Sequence, residues 1–243
     1  MPKSATSTRS PKLSSLPRLQ RIVALLRDAY RPVEPPPSDS AFALILWEKV
    51  AYLATDEKRA AAFAALKQRV GLTPRAILDA SRGELEAICA LGGAVGISER
   101  AKNMHDAAAL VFEAFNGDLE PVVAGPARDA KRALQRFRGI GEPGAERVML
   151  LRRAHHVLAL DSNGLRTIVR LGFGYHDKNY TRMYRSAADA ARPELVDDFD
   201  WLIDAHVYLR HHGQEACKTS APRCESCAVH ADCSYVKATR PRS

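Results

Sequence analysis

Four of the five cysteines in this 243-residue chain lie close together, at Cys217, Cys224, Cys227 and Cys233. So many thiols at such short separations must converge when the segment folds, either in disulfides or around a metal. Cys89 is far away in the sequence and is predicted to be a buried thiol of a helix core. We interpret the other four as a metal site in a reducing compartment, and not as a disulfide framework.

Four thiolates can bind either zinc or an iron–sulfur cluster. Structural zinc sites usually consist of two close cysteine pairs. This segment has one close pair, Cys224 and Cys227, while Cys217 and Cys233 are each one loop away. The spacing suits a segment that wraps around a larger object. The residues alone therefore favour a cluster and leave zinc as the alternative.

The rest of the chain has a helical and basic composition. Hydrophobic residues make up 46% of the sequence, alanine and leucine dominate it, and no segment predicts a strand, so the expected fold class is all-α. The net charge of +8 indicates a polyanionic partner, and nucleic acid is favoured over a membrane. No apolar segment approaches the ~20 residues that a bilayer span requires, so no membrane partner is expected.

The first residues, 1–16, are rich in serine, threonine and proline and predict a disordered basic tail. Their lack of acidic residues leaves an organelle transit peptide open as an alternative. Without such targeting, we expect a cytoplasmic protein that associates with the nucleoid if the source is bacterial.

A glycine-rich turn joins two predicted helices, 127–137 and 145–155. Its glycines permit positive φ angles and leave backbone N–H groups uncovered just before a helix N-terminus. Such a turn can hold a DNA phosphate without reading base sequence, although a plain connector between helices would have a similar composition. The candidate DNA-contacting residues of the turn are Gly139, Ile140, Gly141 and Gly144.

Asp161 follows an apolar run and precedes another predicted helix. The simplest interpretation of an aspartate at this position is an N-cap, which needs no catalytic role. The residues alone leave both interpretations open.

Taken together, the cysteine spacing, the glycine turn and Asp161 resemble the helix-hairpin-helix DNA glycosylase superfamily, and in particular its endonuclease III-like members. The resemblance covers about residues 41–235. It implies a [4Fe-4S] cluster on the four cysteines, a monomer, and double-stranded DNA containing a lesion or mismatch as the partner.

The resemblance also implies two helical modules that flank a DNA cleft. A six-helix barrel would occupy 39–155, with the helix-hairpin-helix at about 127–155. An iron–sulfur module would combine 17–38 with 156–236, followed by a tail at 237–243.

Catalytic roles follow from the same resemblance. Asp161 matches the essential aspartate of these enzymes, which stabilises positive charge on the sugar or helps to deprotonate the attacking water as the N-glycosidic bond breaks. Lys218 and Arg223 match basic residues that the cluster loop presents to the DNA backbone. Glu48 lies within about one position of a glutamate with which adenine-mismatch glycosylases protonate the departing base, although most lone helix carboxylates are solvated.

One departure from the family concerns the lysine with which bifunctional members form a Schiff base and cleave the strand. Pro143 occupies the matching position, so we expect a monofunctional glycosylase. A displaced lysine, Lys131 or Lys102, is the alternative.

The family's DNA wedge matches Leu53, beside Tyr52, near the end of a helix predicted over 41–54. An apolar wedge would fill the gap that a flipped base leaves, whereas the alternative is that both residues belong to the core. Three functions therefore remain: a monofunctional glycosylase, a bifunctional glycosylase and lyase for oxidised pyrimidines, and a non-catalytic DNA-binding protein of the same fold.

Overall fold

The structure, a computed structural model, describes residues 13–37 and 40–239. The parts of the predicted tails at 1–12 and 240–243 lie outside the described residues. The chain divides into two units. One comprises Met1–Val33 with Leu160–Ser243, and the other comprises Glu34–Ala159.

Every regular element in the described part of the chain is helical, which confirms the all-α prediction. The α-helices are, in chain order, α1 (Arg18–Ala29), α2 (Ala41–Val50), α3 (Asp56–Arg69), α4 (Pro74–Asp79), α5 (Arg82–Leu91), α6 (Ile97–Phe115), α7 (Glu120–Ala124), α8 (Ala127–Leu134), α9 (Glu142–Leu151), α10 (Ser162–Leu171), α11 (Tyr180–Ala191), α12 (Phe199–Glu215) and α13 (Ser234–Thr239). None of the helices within these described residues combines the length and the apolar character needed to cross a bilayer.

The Glu34–Ala159 unit is built around α6, which packs against α2, α4 and α5. Helix α2 begins at an N-cap serine, Ser40, whose hydroxyl accepts a hydrogen bond from Ala43 N–H at 3.0 Å. Cys89 on α5 is fully buried, as predicted, and burial raises the pKa of its thiol to about 11.

Helix α2 ends at Val50, four residues before the predicted end of the helix 41–54. The prediction was wrong because Ala51 adopts an extended conformation and Leu53 has a φ of 48°. Neither conformation continues an α-helix.

The other unit is centred on α10 and α12, and α1 packs against α12. Gly213 permits the close approach of the two central helices. A Cβ atom at this position would lie 2.5 Å from the carbonyl oxygen of Asn163, far inside van der Waals contact. This packing brings the start of α10 next to the end of α12, where the cysteine loop begins.

Candidate active site and metal centre

All four clustered cysteines line one cavity in the unit that contains α10 and α12. The empty space among its lining residues, including the part open to solvent, is about 350 Å³. Its thiols come from the loop that connects α12 with α13, and all of them are free rather than joined in disulfides. The cavity thus contains the predicted ligand set Cys217, Cys224, Cys227 and Cys233.

The donor set and the cavity wall fit an iron–sulfur cluster. Four cysteine thiolates are the usual protein ligands of such clusters, although structural zinc also accepts them. Thr167 supports the presence of a bound group, because its hydroxyl is buried in the cavity wall without a hydrogen-bond partner. Within the ranges 13–37 and 40–239, no group of three or more His, Cys, Asp and Glu side chains is arranged to hold a metal ion, so the fit concerns the type of donor and the lining of the cavity.

Positive charge lies beside the thiols. Arg170 Nη1 lies 3.5 Å from Cys217 Sγ, and the same nitrogen donates to the Lys218 carbonyl at 2.7 Å. Its charge also lies 4.8 Å from the centre of the Tyr235 ring. Arg170 therefore ties α10 to the cysteine loop and can offset negative charge in the cavity.

The thiols oppose one another's ionisation. Burial raises the pKa of Cys224 and Cys227, and the negative charge of the neighbouring cysteines also raises it. Four thiolates in one cavity therefore require a cationic group to compensate them.

Cys227 also contacts a buried histidine that is in turn paired with a tyrosine of α1. His212 Nε2 is 3.5 Å from Cys227 Sγ, and His212 Nδ1 is 2.7 Å from the Tyr30 hydroxyl. Burial lowers the pKa of His212 to about 4 and raises that of Tyr30 to about 12. Both side chains are therefore neutral near pH 7.

Asp161 caps helix α10, as its position in the sequence predicts. Its Oδ1 accepts a hydrogen bond from the Gly164 N–H at 2.7 Å. Arg210 Nε lies 3.3 Å from Oδ2, and the carboxylate is 15% exposed. A cap does not require this guanidinium contact, which adds a second, charged partner to a largely buried carboxyl group.

Two further side chains connect Asp161 to the cysteine loop. Asn163 Nδ2 donates to Asp161 Oδ2 at 3.5 Å and its Oδ1 accepts from Arg166 Nη2 at 2.8 Å. Arg166 Nε then donates to the Cys217 carbonyl at 2.8 Å. Sequence reasoning missed Arg166 and Arg210, although the spacing of Asn163 and Arg166, three residues apart on one helix face, was a usable signal.

Lys218 and Arg223, the predicted DNA-contacting residues of the cysteine loop, are both at least partly exposed. The loop backbone is braced at both residues. The Lys218 carbonyl accepts from Arg170, and the Arg223 N–H donates to the Ala216 carbonyl at 2.9 Å. Their side chains can therefore reach a phosphate from a fixed backbone.

The glycine turn lies in the other unit, between α8 and α9. Both helices differ from the predicted 127–137 and 145–155. Helix α8 ends at Leu134, and α9 begins at Glu142 because Pro143 is favoured in the first turn of a helix. Gly139 has a φ of 79°, which side chains disfavour.

The residues of the turn differ in accessibility. Gly139 and Gly141 are exposed, whereas the Ile140 side chain is buried and its N–H donates to the Phe137 carbonyl at 2.9 Å. Gly144 is partly exposed in the first turn of α9 and packs against Ile140, where a Cβ atom would approach to 3.3 Å. The accessible backbone of the turn is thus that of the two flanking glycines.

A buried lysine on α2 supports this turn. Lys49 is 7% exposed, and its ammonium group donates to the Arg138 carbonyl at 2.5 Å. Burial lowers its pKa to about 8. Nothing in the local sequence distinguishes this lysine from the exposed ones, and it was missed.

Lys131, one of the displaced lysines considered above, forms ion pairs with two glutamates of α9. Its ammonium group lies 3.3 Å from Glu142 and also contacts Glu146. Burial acts to lower the pKa of Lys131, but the two carboxylates outweigh it and raise the pKa. The amine is therefore protonated near pH 7 and is a poor nucleophile.

Lys102, the other displaced lysine, pairs with Asp106 at 2.5 Å on the exposed face of α6.

Glu48 on α2 pairs with Arg147 on α9 at 2.6 Å. A proton-donating role for Glu48 would require this ion pair to open.

The wedge candidates Tyr52 and Leu53 are 57% and 80% exposed, so neither belongs to the core. Leu53 also has a positive φ of 48°, which is uncommon for a residue with a side chain. An exposed leucine in a strained conformation has no evident role in stability.

Arg100 fixes the backbone around this turn. Its buried guanidinium donates to the Val50 carbonyl at 2.6 Å, to the Val95 carbonyl at 2.9 Å and to the Gly93 carbonyl. It thereby joins the end of α2 to the loop before α6.

No family model matches this chain. Among curated proteins, it is 28% identical over 132 residues to DEMETER-like protein 3 of Arabidopsis thaliana, which covers 49% of this chain and 12% of that protein. It is 25% identical over 170 residues to endonuclease III of Haemophilus influenzae, which covers 68% of this chain and 71% of that protein.

Among solved structures, a non-covalent endonuclease III–DNA complex shares the fold with a TM-score of 0.70 over 92% of this chain and 98% of that chain, at 20% identity. A thermostable thymine-DNA glycosylase has a TM-score of 0.69 over 91% of this chain and 97% of that chain, at 16% identity. Sequence and fold therefore agree with the resemblance predicted from the motifs. The chain is thus similar in sequence and in fold to helix-hairpin-helix DNA glycosylases.

This chain has the glycine turn, Asp161 and the four cysteines that carry the resemblance, and Pro143 stands where the resemblance places a lysine. Lys131 and Lys102, the two displaced lysines considered above, are both paired with carboxylates.

Proposed function

We propose that this protein is a DNA-repair glycosylase that hydrolyses the N-glycosidic bond of a damaged or mismatched base without cleaving the strand. Asp161 would be the catalytic carboxylate. The observation that carries the proposal is the environment of Asp161. A largely buried carboxylate is held by Arg210, Asn163 and the Gly164 N–H, which is more than capping a helix requires.

Breaking an N-glycosidic bond develops positive charge on the deoxyribose. A fixed, ionised carboxylate stabilises that charge in the transition state and orients the attacking water. Arg210 and the N-terminus of α10 place positive charge beside Asp161, while Asn163 restrains its rotation. The low exposure of the carboxylate strengthens its electrostatic effect.

The proposal that the strand is not cleaved rests on Pro143 and on the ion pairs of Lys131. A Schiff base requires a neutral amine, and Pro143 occupies the position where the bifunctional enzymes carry one. The two carboxylates around Lys131 keep its amine protonated. Attack on the sugar by water is therefore the route that we propose for base release.

Double-stranded DNA would be held by backbone contacts and an apolar wedge. The exposed glycines Gly139 and Gly141 offer a phosphate site at the start of α9, and Lys218 and Arg223 add positive charge. Leu53 would fill the space that an extruded base leaves.

The four cysteines would hold a [4Fe-4S] cluster, with zinc as the alternative. Such a cluster would act as a covalent cross-link of the loop between α12 and α13, which otherwise has little regular structure. The residues that perform the chemistry are those around Asp161.

The test is base release from duplexes that each contain one uracil, thymine mismatch, oxidised pyrimidine, alkylated purine or adenine mismatch. We expect Asp161→Asn to abolish release from the preferred duplex while DNA affinity is retained. Asp198→Asn is the matched control, because Asp198 also caps a helix of the same unit, accepting from Trp201 N–H at 2.8 Å. Equal loss in both variants, or full release by Asp161→Asn, would contradict the assignment.

The same panel, treated with borohydride during turnover, measures the lyase reaction. We expect no covalent enzyme–DNA adduct. Strand breaks should appear only after treatment with alkali. Efficient trapping would identify a bifunctional enzyme. Affinity for damaged duplexes without base release from any of them would identify a non-catalytic DNA-binding protein.

A further inference from the structure

Tyr30, His212 and Cys227 form a continuous hydrogen-bonded chain from α1 to the cysteine cavity. The Tyr30 hydroxyl is 2.7 Å from His212 Nδ1, and His212 Nε2 is 3.5 Å from Cys227 Sγ. His212 is 2% exposed, so solvent does not compete for either ring nitrogen. The edge of His211 against the Tyr30 ring, with centroids 4.7 Å apart, restrains the tyrosine.

The direction of each hydrogen bond follows once Cys227 is a ligand. A metal-bound thiolate carries no proton, so it can accept and cannot donate. His212 Nε2 must then bear the hydrogen and donate it to Cys227 Sγ. A neutral imidazole has one N–H, so Nδ1 accepts, and the Tyr30 hydroxyl is the donor.

We propose that Tyr30 is a positioning residue that fixes His212 in the Nε2–H tautomer, and that this hydrogen bond to Cys227 raises the reduction potential of the bound cluster. The inference rests on the cluster proposed above. Hydrogen bonds to cluster thiolates are among the determinants of cluster potential, because they withdraw electron density from sulfur and favour the more negative, reduced state. Without the tyrosine proton, His212 can adopt the other tautomer, and Cys227 loses its donor.

The test is the midpoint potential of the cluster in the full-length holoprotein, measured by electrochemistry of the protein film. Tyr30→Phe keeps the ring and removes the hydroxyl. We expect a shift to a more negative potential and, in resonance Raman spectra, a stiffer iron–cysteine bond. Tyr208→Phe is the matched control, since Tyr208 is a buried tyrosine of α12 outside the cavity lining, and it should leave both readouts unchanged.

An unchanged potential in Tyr30→Phe, or an equal shift in both variants, would overturn the proposal. A second variant, His212→Gln, should shift the potential in the same direction, and an opposite shift would also overturn it. A wild-type protein without iron would refute the cluster and with it this inference, although base release could still be observed. Conversely, a shift in Tyr30→Phe in a protein that releases no base would uphold the inference and refute the glycosylase.

Discussion

Asp161 shows how a single residue can satisfy two interpretations. Its backbone position makes it an N-cap, as the sequence predicts, and this property by itself would leave its function open. The contact with Arg210 and the chain through Asn163 to Arg166 add an electrostatic and positional constraint that capping does not need. The carboxyl group is therefore held in a restricted orientation beside a guanidinium.

Removing the Asn163 amide should weaken this restraint. We expect Asn163→Ala to lower the rate of base release by about 10-fold, the usual scale for losing a side chain that orients a reactive group. The effect should appear in kcat while KM stays unchanged, because Asn163 would act through the carboxylate that it contacts. Asn179→Ala, which removes the N-cap of α11, is the control and should leave the rate unchanged. A change in KM alone would contradict the positioning role.

At the scale of elements, the structure depends on charged groups buried against backbone carbonyls. Arg100 holds the end of α2 and the loop before α6, and Lys49 holds the turn between α8 and α9. In both cases the donor satisfies carbonyls that irregular backbone would otherwise leave unpaired. The two segments predicted to contact DNA are thus supported from the interior of their own unit.

Lys49 gives this arrangement a pH dependence. Its pKa is about 8 in the folded protein, whereas the ordinary value for lysine is 10.5. Burial lowers the pKa most, because it penalises the ammonium form. The charge of Glu48 raises the pKa, and the charge of Arg138 lowers it further. Between these two values the unfolded chain binds more protons than the folded one, so the free energy of unfolding rises with pH. The contribution is on the order of 3 kcal/mol at most.

We therefore expect the free energy of unfolding of the wild type, relative to Lys49→Met, to increase as the pH rises from about 8 to about 10.5. Urea denaturation at several pH values in this window measures the difference. Lys58→Met, at an exposed position of α3, is the control and should follow the wild type. A difference that stays constant across the window would show that Lys49 titrates at its ordinary pKa.

At the scale of the whole molecule, the two units can be followed separately through the chain's two tryptophans, Trp47 and Trp201. Trp47 lies on α2 of the Glu34–Ala159 unit, and Trp201 lies on α12 of the unit that carries the cysteine cavity. A metal that binds the folded cysteine loop stabilises the unit in which it binds.

Removal of the metal by a chelator under oxidising conditions should therefore lower the denaturant midpoint reported by Trp201 more than that reported by Trp47. Variants with one tryptophan each, Trp47→Phe and Trp201→Phe, isolate the two signals. Iron analysis before and after treatment verifies the removal. Equal midpoint shifts, or none in the Trp201 signal, would contradict a structural role of the cysteines in their own unit.

Much of the architecture could be predicted because it depends on local patterns. The abundance of alanine and leucine and the lack of a strand-like segment predicted an all-α chain, and the structure confirmed it. Helix ends were less accurate. The helix predicted over 41–54 ends at Val50, where Arg100 stabilises the irregular backbone from fifty residues away.

The amino-acid sequence by itself determined the helical class, the thiol cluster and the candidate carboxylate, since spacing along the chain and side-chain chemistry are local properties. Only the tertiary structure decided the burial, the ion pairs and the hydrogen-bond partners of the ionisable groups. It paired Lys131 with two glutamates, buried Lys49, and placed His212 between Tyr30 and Cys227. The physical reason is that burial and charge partners, which set protonation and hydrogen-bond direction, come from residues far apart in sequence.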